Sequence, residues 1–164
     1  MTLYTAISDD DRMCLRAMQN ALLEVGLSSI IVSQSASEFK ATLTKDAAVI
    51  VIDLMMPENQ GEIPKMVGDH LFHYAKTINS EAKIIIVSAI EDYPLIVNLF
   101  NDGLFAFVSK SAPDWVNHVV YKVKEGWEKY NKNLHYISDR RAIHALASAT
   151  QRMLSRLDGS DIPA

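Results

Sequence analysis

Short apolar runs alternate along this chain with segments whose apolar residues recur every three or four positions. The runs contain five or six residues and cover 3–8, 29–33, 47–52, 83–87 and 104–108. An unbroken run such as Ala47–Ile52 is typical of a strand that is buried on both faces of a parallel sheet. The runs therefore predict five strands, and a helical segment follows each of them.

The helical segments carry the usual signals for where helices begin and end. They cover 11–25, a short segment from Ser35 or Ser37 to Leu43, 70–78, 93–101, and a segment from Pro113 past Val123. Asp11 can cap the first helix and Gly26 can end it, whereas residues 57–67, with two prolines and a glycine, predict a loop. Five successive strand–helix pairs predict an α/β protein with a doubly wound parallel sheet.

Composition and charge narrow the class of protein without changing this picture. The 164 residues are 49% hydrophobic and 22% charged, which suits one globular domain and one added element. The single cysteine, Cys14, excludes a disulfide framework and a metal cluster built from several cysteines. Residues 1–126 carry a net charge of −6 and residues 127–164 one of +2, without the dense basic patch that nucleic acids favour. Because no apolar run reaches membrane-span length and residues 1–6 lack the features of a secretory signal, we expect a cytoplasmic protein.

Chemically active side chains follow four of the predicted strands. Asp9 and Asp10 follow the first strand, Asp53 the third, Ser88 the fourth and Lys110 the fifth. Because the carboxyl ends of parallel strands meet at one edge of the sheet, we expect these side chains to lie close together. Clustered carboxylates repel unless a cation intervenes, and Mg²⁺ prefers such oxygen ligands. With a lysine and a hydroxyl nearby, the edge suits binding of a phosphoryl group, including one carried on a carboxylate.

Each of these residues has an ordinary explanation when it is taken alone. An acid after a strand is commonly a helix cap, and a lysine at the end of a strand is commonly a solvated surface residue. Their joint placement at four strand ends is what favours a functional site.

Four short segments of this sequence resemble the bacterial response-regulator receiver domain. They are Ile7–Asp11, Val51–Pro57, Val87–Ala89 and Phe107–Lys110. The resemblance covers about residues 3–126 and implies a flavodoxin-like fold with a five-stranded sheet in the order 2-1-3-4-5. We accordingly assign residues 1–126 to a receiver domain and residues 127–164 to a helical C-terminal extension.

The resemblance implies a role for each residue at the sheet edge. Asp53 would be the phospho-acceptor. Asp9 and Asp10 would hold Mg²⁺ together with Asp53 and the backbone carbonyl of Met55. Lys110 would be the partner of the phosphoryl group.

Two further residues would form the switch that the family uses. Ser88 would be the hydroxyl that follows the phosphoryl group, and Phe107 would be the aromatic switch residue. The implied partners are a histidine kinase or histidine phosphotransfer protein and a downstream protein. A second copy could bind through helix four, strand five and helix five or through the C-terminal helix. The implied chemistry is self-phosphorylation and self-dephosphorylation, so we expect a signalling protein and not an enzyme.

Two departures from the family's pattern bear on this interpretation. The segment between the acceptor and the switch serine is longer by about seven residues than the pattern requires. If Gly68 is the glycine that usually follows the Met-Pro loop, the insert lies between Pro57 and Gly68, and if Gly61 is, it lies in the next helix. We prefer Gly68. Met55 and Ile90 are apolar positions near the expected path of water, so we expect slow self-dephosphorylation.

The extension continues the helical pattern beyond the receiver domain. A first stripe consists of Trp127, Tyr130, Leu134 and Ile137, and a second consists of Ile143, Leu146, Thr150, Met153 and Leu157. Ser138 and Asp139 offer an N-cap and Gly159 a stop, which predicts a separate helix of about 19 residues. The extension is too short for a DNA-binding output domain. It could pack on its own receiver, pair with a second copy, or begin a linker in a longer regulator.

Two other classes of protein stay open from the residues alone. One is a pseudo-receiver, a binding module that no longer takes phosphate, although the complete set of acids, serine and lysine argues against it. The other is a Mg²⁺-dependent phosphatase on a similar sheet. That chemistry needs a second acid two residues after the nucleophile, where this sequence has Met55.

Overall fold

In the computed structural model, which describes residues 2–158 and the side chains of residues 2–154, the chain forms a parallel sheet flanked by helices. The strands are β1 (Tyr4–Ser8), β2 (Ile30–Ser33), β3 (Ala47–Ile52), β4 (Met55–Met56), β5 (Lys65–Met66), β6 (Lys83–Ser88) and β7 (Ala106–Ser109). Five of them form the main sheet in the order β2-β1-β3-β6-β7, and every pairing is parallel. This confirms the doubly wound sheet and its predicted order, since β4 and β5 form a separate pair.

The helices cover both faces of the sheet. They are α1 (Arg12–Glu24), α2 (Ala36–Thr42), α3 (Gly68–Ile78), α4 (Tyr93–Asn101) and α5 (Trp115–Asp158). Ile50 and Ile52 of β3 pack with α2, α3 and α4, whereas Val49 and Val51 pack with α1 and α5. Successive side chains of a strand point to opposite faces, so one apolar run supplies both halves of the core.

The loop predicted for residues 57–67 contains a small antiparallel hairpin. Met55 pairs with Met66 and Met56 with Lys65, which joins β4 to β5. The hairpin is anchored because the Ala36 and Ser37 N–H groups at the start of α2 donate to backbone carbonyls of residues 57 and 58, both at 2.9 Å. The first-turn N–H groups of a helix need such external acceptors. Strands of two residues are too short to show a periodic pattern, which is why the sequence predicted only a loop.

Gly68 lies directly against the backbone that follows β3. A Cβ at this position would lie 2.5 Å from both the Asp53 carbonyl oxygen and the Leu54 Cα, and the Gly68 N–H donates to the Leu54 carbonyl at 3.0 Å. Gly61, by contrast, has open space around it and a φ of +88°. The close approach at Gly68 supports the placement of the insert between Pro57 and Gly68.

The prediction of a separate helix that begins at Ser138–Asp139 is wrong, because α5 runs without interruption from Trp115 to Asp158. Residues 127–158 contain neither glycine nor proline, so nothing in this segment breaks the backbone pattern of a helix. A serine or aspartate in a helix interior is tolerated when its side chain is exposed. The stop predicted at Gly159 lies outside the described residues. At the other end, Pro113 lies in the turn before α5 and not in its first turn.

The chain divides into two compact units between Tyr130 and Asn131, four residues after the boundary that the sequence analysis places. Trp127 and Tyr130 belong to the first unit, where the Trp127 Nε1–H donates to the Thr5 hydroxyl at 2.9 Å and Tyr130 is buried. The second unit is the remainder of α5. Within residues 2–158, no helix is both long enough and apolar enough to cross a membrane.

Candidate functional site

Backbone hydrogen bonds bring the ends of neighbouring strands to one level at the carboxyl edge of the sheet. The Asp53 N–H donates to the Ser8 carbonyl at 2.9 Å, and the Lys110 N–H donates to the Ser88 carbonyl at 2.9 Å. The Asp9 N–H donates to the carbonyl of Ser33 at 3.1 Å. The ladder of the sheet therefore continues one residue past each strand, and the side chains that follow β1, β3 and β7 start from the same edge.

Lys110 joins two of the predicted site residues directly. Its Nζ lies 2.6 Å from Asp9 Oδ2 and 2.6 Å from Asp53 Oδ2. Asp9 is 1% exposed and Asp53 is 7% exposed, so both ion pairs are largely shielded from water. Such buried, charge-assisted contacts are strong and hold their partners in one geometry.

The second oxygen of each carboxylate is held by the backbone. Asp9 Oδ1 accepts a hydrogen bond from the Asp11 N–H at 3.0 Å, and Asp53 Oδ1 accepts one from the Met55 N–H at 3.2 Å. Each carboxylate is thus fixed at both oxygens. Asp11 itself caps α1, because its carboxylate accepts from the N–H groups of residues 13 and 14.

Asp10 completes an acidic cluster with Asp9 and Asp53. One carboxylate oxygen from each of the three residues lies within 4.8 Å of the others. Burial raises the pKa of Asp9 from 3.8 to about 6, even though Lys110 opposes this effect, and burial also raises the pKa of Asp10. Burial by itself would lower the pKa of Lys110, but its hydrogen bonds and charge pairing with Asp53 and Asp9 prevail and raise it.

This donor set fits a hard divalent cation. Mg²⁺ takes carboxylate and carbonyl oxygens and keeps several waters. Three acids with one lysine leave a surplus of negative charge, which burial makes costly and which a cation would neutralise. Met55, whose backbone carbonyl is the further ligand predicted from the resemblance, lies in β4 two residues after Asp53.

The structure also places the two predicted switch residues. Ser88 is fully buried at the end of β6, and its hydroxyl oxygen accepts a hydrogen bond from the Ile90 N–H at 3.1 Å. Phe107 of β7 is half-buried and packs against the core beneath α2, α3 and α4. In the sheet register Ser88 pairs with Ser109, the residue before Lys110.

One contact at this edge was not predicted from the sequence. The Glu91 carboxylate accepts hydrogen bonds from the hydroxyls of Ser109 and Tyr93 and so ties the segment after β6 to the end of β7. These hydrogen bonds lower the pKa of Glu91. Eighteen residues separate Glu91 from Ser109, and no spacing pattern links them. Only the register of β6 against β7 brings them together.

A doubly wound parallel sheet with clustered acids and a lysine at its carboxyl edge places this chain among the α/β proteins whose site lies at the carboxyl ends of the strands. The model of the response regulator receiver domain matches residues 6–118, and the chain belongs to this family.

Individual relatives agree with the family. The chain is 32% identical over 138 residues to the C4-dicarboxylate transport transcriptional regulatory protein DctD of Rhizobium meliloti (strain 1021). That alignment covers 84% of this chain and 28% of the relative, so the chain spans little more than a quarter of the relative's length.

Solved structures share the fold at low sequence identity. A CheY-like receiver domain protein from Methanospirillum hungatei JF-1 has a TM-score of 0.63 and 20% identity, with coverage of 81% of this chain and 99% of that one. The isolated REC domain of RcsB from Salmonella enterica serovar Typhimurium, studied with the phosphomimetic BeF3−, has a TM-score of 0.60 and 19% identity. Coverage there is 77% of this chain and 91% of that one.

Proposed function

We propose that this receiver accepts a phosphoryl group on Asp53 from the phosphohistidine of a histidine kinase or histidine phosphotransfer protein. The observation that carries the proposal is the bridge of Lys110 Nζ to Asp9 and Asp53, 2.6 Å from an oxygen of each. A purely structural aspartate at a strand end has no need of a half-buried lysine and two further acids.

In the proposed reaction, a carboxylate oxygen of Asp53 attacks the donor phosphorus. The new P–O bond forms as the P–N bond to the donor imidazole breaks, and the electron pair of that bond leaves with the imidazole. Lys110 stabilises the negative charge on the phosphoryl oxygens. The backbone N–H of Met55 keeps Asp53 oriented, since it donates to Oδ1 at 3.2 Å.

The residues that would hold Mg²⁺ are Asp9, Asp10, Asp53 and the backbone carbonyl of Met55. When bound, the ion would neutralise part of the charge on the carboxylates and the phosphoryl oxygens. Burial of Asp9, which raises its pKa to about 6, supports a cation requirement because it makes the ionised cluster costly.

We further propose that phosphorylation draws the Ser88 hydroxyl towards the phosphoryl group and that Phe107 follows. The change would alter the surface formed by α4, β7 and α5, where Val97, Phe100 and Tyr121 are exposed apolar side chains. A downstream protein that binds this surface would then respond to phosphorylation as a population shift between two states. We place this exchange in a cytoplasmic two-component system.

The phosphoryl group on Asp53 should be lost slowly. Met55 and Ile90 are half-buried apolar residues that offer no side-chain group to orient an attacking water. The lifetime is measured by intact mass after acetyl phosphate is removed in the presence of Mg²⁺. Rapid loss of the adduct would contradict this expectation.

The first test is intact-mass analysis after incubation with Mg²⁺ and acetyl phosphate. We expect the mass of one phosphoryl group on the wild type and none on Asp53→Asn. The matched control is Asp102→Asn, because Asp102 is an exposed aspartate at the end of α4 and should leave the adduct intact. An unmodified wild type would overturn the proposal and favour a pseudo-receiver that binds its partners constitutively.

A further inference from the structure

The second unit carries an apolar stripe on one face of α5. Ile143, Leu146, Thr150 and Met153 follow one another at intervals of three, four and three residues. These are alternating a and d positions of a heptad repeat. Leu157 continues the spacing, although its side chain lies beyond those that the structure describes.

The stripe is exposed in the single chain. Ile143 is 67% exposed, Leu146 71% and Met153 67%, and of the described side chains beyond Tyr130 none is buried. A helix in water draws most of its stability from packing of its apolar face. The second unit therefore needs a cover for this stripe.

The residue types in the stripe favour a second helix of the same kind. Isoleucine and threonine, which are β-branched, occupy the a positions, whereas leucine and methionine occupy the d positions. β-branched residues at a with leucine at d favour parallel two-stranded coiled coils.

From Ala142 to Leu154 the residues beside the stripe carry no charge that would oppose an identical chain, and Arg140 and Arg156 take the e and g positions just outside this range. The e and g positions within it are Ala142, Ala147, Ala149 and Leu154. The three alanines allow two helices to approach closely, and Leu154 adds apolar surface beside Met153. The charged residues Arg141 and Arg152 fall at f and c positions, on the opposite face, so two like-charged copies can meet along the stripe without repulsion.

We propose that residues 142–154 pair with the same segment of a second copy as a parallel two-stranded coiled coil. This pairing is independent of phosphorylation on Asp53. Two heptads form a short interface, so we expect a monomer–dimer equilibrium that depends on protein concentration.

The first experiment is sedimentation velocity of the full chain over a range of concentrations. We expect a dimer for the wild type and at least about a tenfold weaker dimer for Leu146→Asp, since it places a charge at the centre of the stripe. Ser148→Asp is the matched control, because it adds the same charge at an f position and should dimerise like the wild type. Unfolding temperatures that match the wild type show that each variant is folded.

The second experiment fixes the orientation by disulfide cross-linking in a Cys14→Ser background. Leu146→Cys should form a covalent dimer on mild oxidation, and Ser148→Cys should not. Antiparallel pairing would place d positions opposite a positions and would instead cross-link Leu146→Cys to Thr150→Cys in a mixture. The proposal would be overturned by this antiparallel cross-link, by a wild type that stays monomeric, or by a dimer that Leu146→Asp leaves unchanged.

Discussion

The first unit and the second unit use the same spacing of apolar residues with opposite outcomes. In α1, Leu15, Met18 and Leu22 recur at helical spacing and are at most 4% exposed, because the sheet covers them. In the second unit, Ile143 and Leu146 recur at the same spacing and are about two-thirds exposed or more. The comparison teaches that spacing predicts which face of a helix is apolar, whereas the cover for that face must come from the rest of the chain or from another molecule.

The largest expected effect contrasts the core with the stripe. Phe72→Ala removes a fully buried ring from α3 and should lower the free energy of unfolding by about 3–5 kcal/mol. Ile143→Ala, measured at a protein concentration low enough to keep the chain monomeric, should change it by less than about 0.5 kcal/mol. Urea unfolding of both variants makes the comparison. A comparable loss in the two variants would show that the stripe is already covered within one chain.

The next largest effect is expected from Gly68→Ala, a substitution that tests whether Gly68 anchors the end of the insert. Gly68→Ala would place a Cβ against the Asp53 carbonyl oxygen, so we expect a loss of roughly 3 kcal/mol and weaker phosphorylation by acetyl phosphate. Gly61→Ala is the matched control. It meets no neighbouring atom and should lose only about 1–2 kcal/mol through its positive φ, with phosphorylation retained. Equal effects on phosphorylation would contradict the assigned role of Gly68.

A smaller effect is expected from the protonation of Asp9, which should make the free energy of unfolding depend on pH. Because its pKa is about 6 in the folded state and near 4 in the unfolded state, the folded state binds more protons between these values. The free energy of unfolding should therefore fall as pH rises from about 4 to about 6. Asp9→Asn should remove the larger part of this fall, with a remainder from Asp10, and be more stable than the wild type at pH 7 by about 3 kcal/mol in EDTA, with little difference at pH 4.

The control for this pH dependence is Asp102→Asn, since Asp102 is exposed. Thermal unfolding at a series of pH values compares the three proteins. The raised pKa of Lys110 acts only above neutral pH and does not enter this window. A wild type whose stability rises between pH 4 and 6 while Asp9→Asn stays flat would show that the lysine outweighs burial.

Much of the first unit could be predicted because its elements are local and periodic. The run Ala47–Ile52 forms β3 with the predicted bounds, and the acids at positions 9, 10 and 53 meet because parallel strands end at one edge. The hairpin of β4 and β5 could not be predicted, since its position depends on acceptors for the N–H groups of α2. The contact between Glu91 and Ser109 likewise depends on sheet register and not on any local pattern.

The second unit shows where local signals mislead. Ser138 and Asp139 have the side chains of an N-cap, but a cap works only where helical N–H groups lack partners. Inside α5 those groups are already bonded to the preceding turn, so the same residues become exposed positions in a continuous helix. A serine–aspartate pair has the same side chains at a helix N-cap and in a helix interior. What distinguishes the two positions is whether the residues before the pair are already helical.

The smallest expected effect tests that distinction between a working cap and an apparent one. Asp92 caps α4, and its carboxylate accepts from the Leu95 N–H at 3.1 Å, so Asp92→Ala should lower the free energy of unfolding by about 1 kcal/mol. Asp139→Ala replaces a residue of low helix propensity in a helix interior and should leave helicity equal or slightly higher. Circular dichroism at low protein concentration and urea unfolding measure both variants. A loss of helical signal in Asp139→Ala would mean that a new helix begins at Ser138–Asp139, because a side chain acts as a cap only when the N–H groups of the residues after it have no partner in a preceding turn.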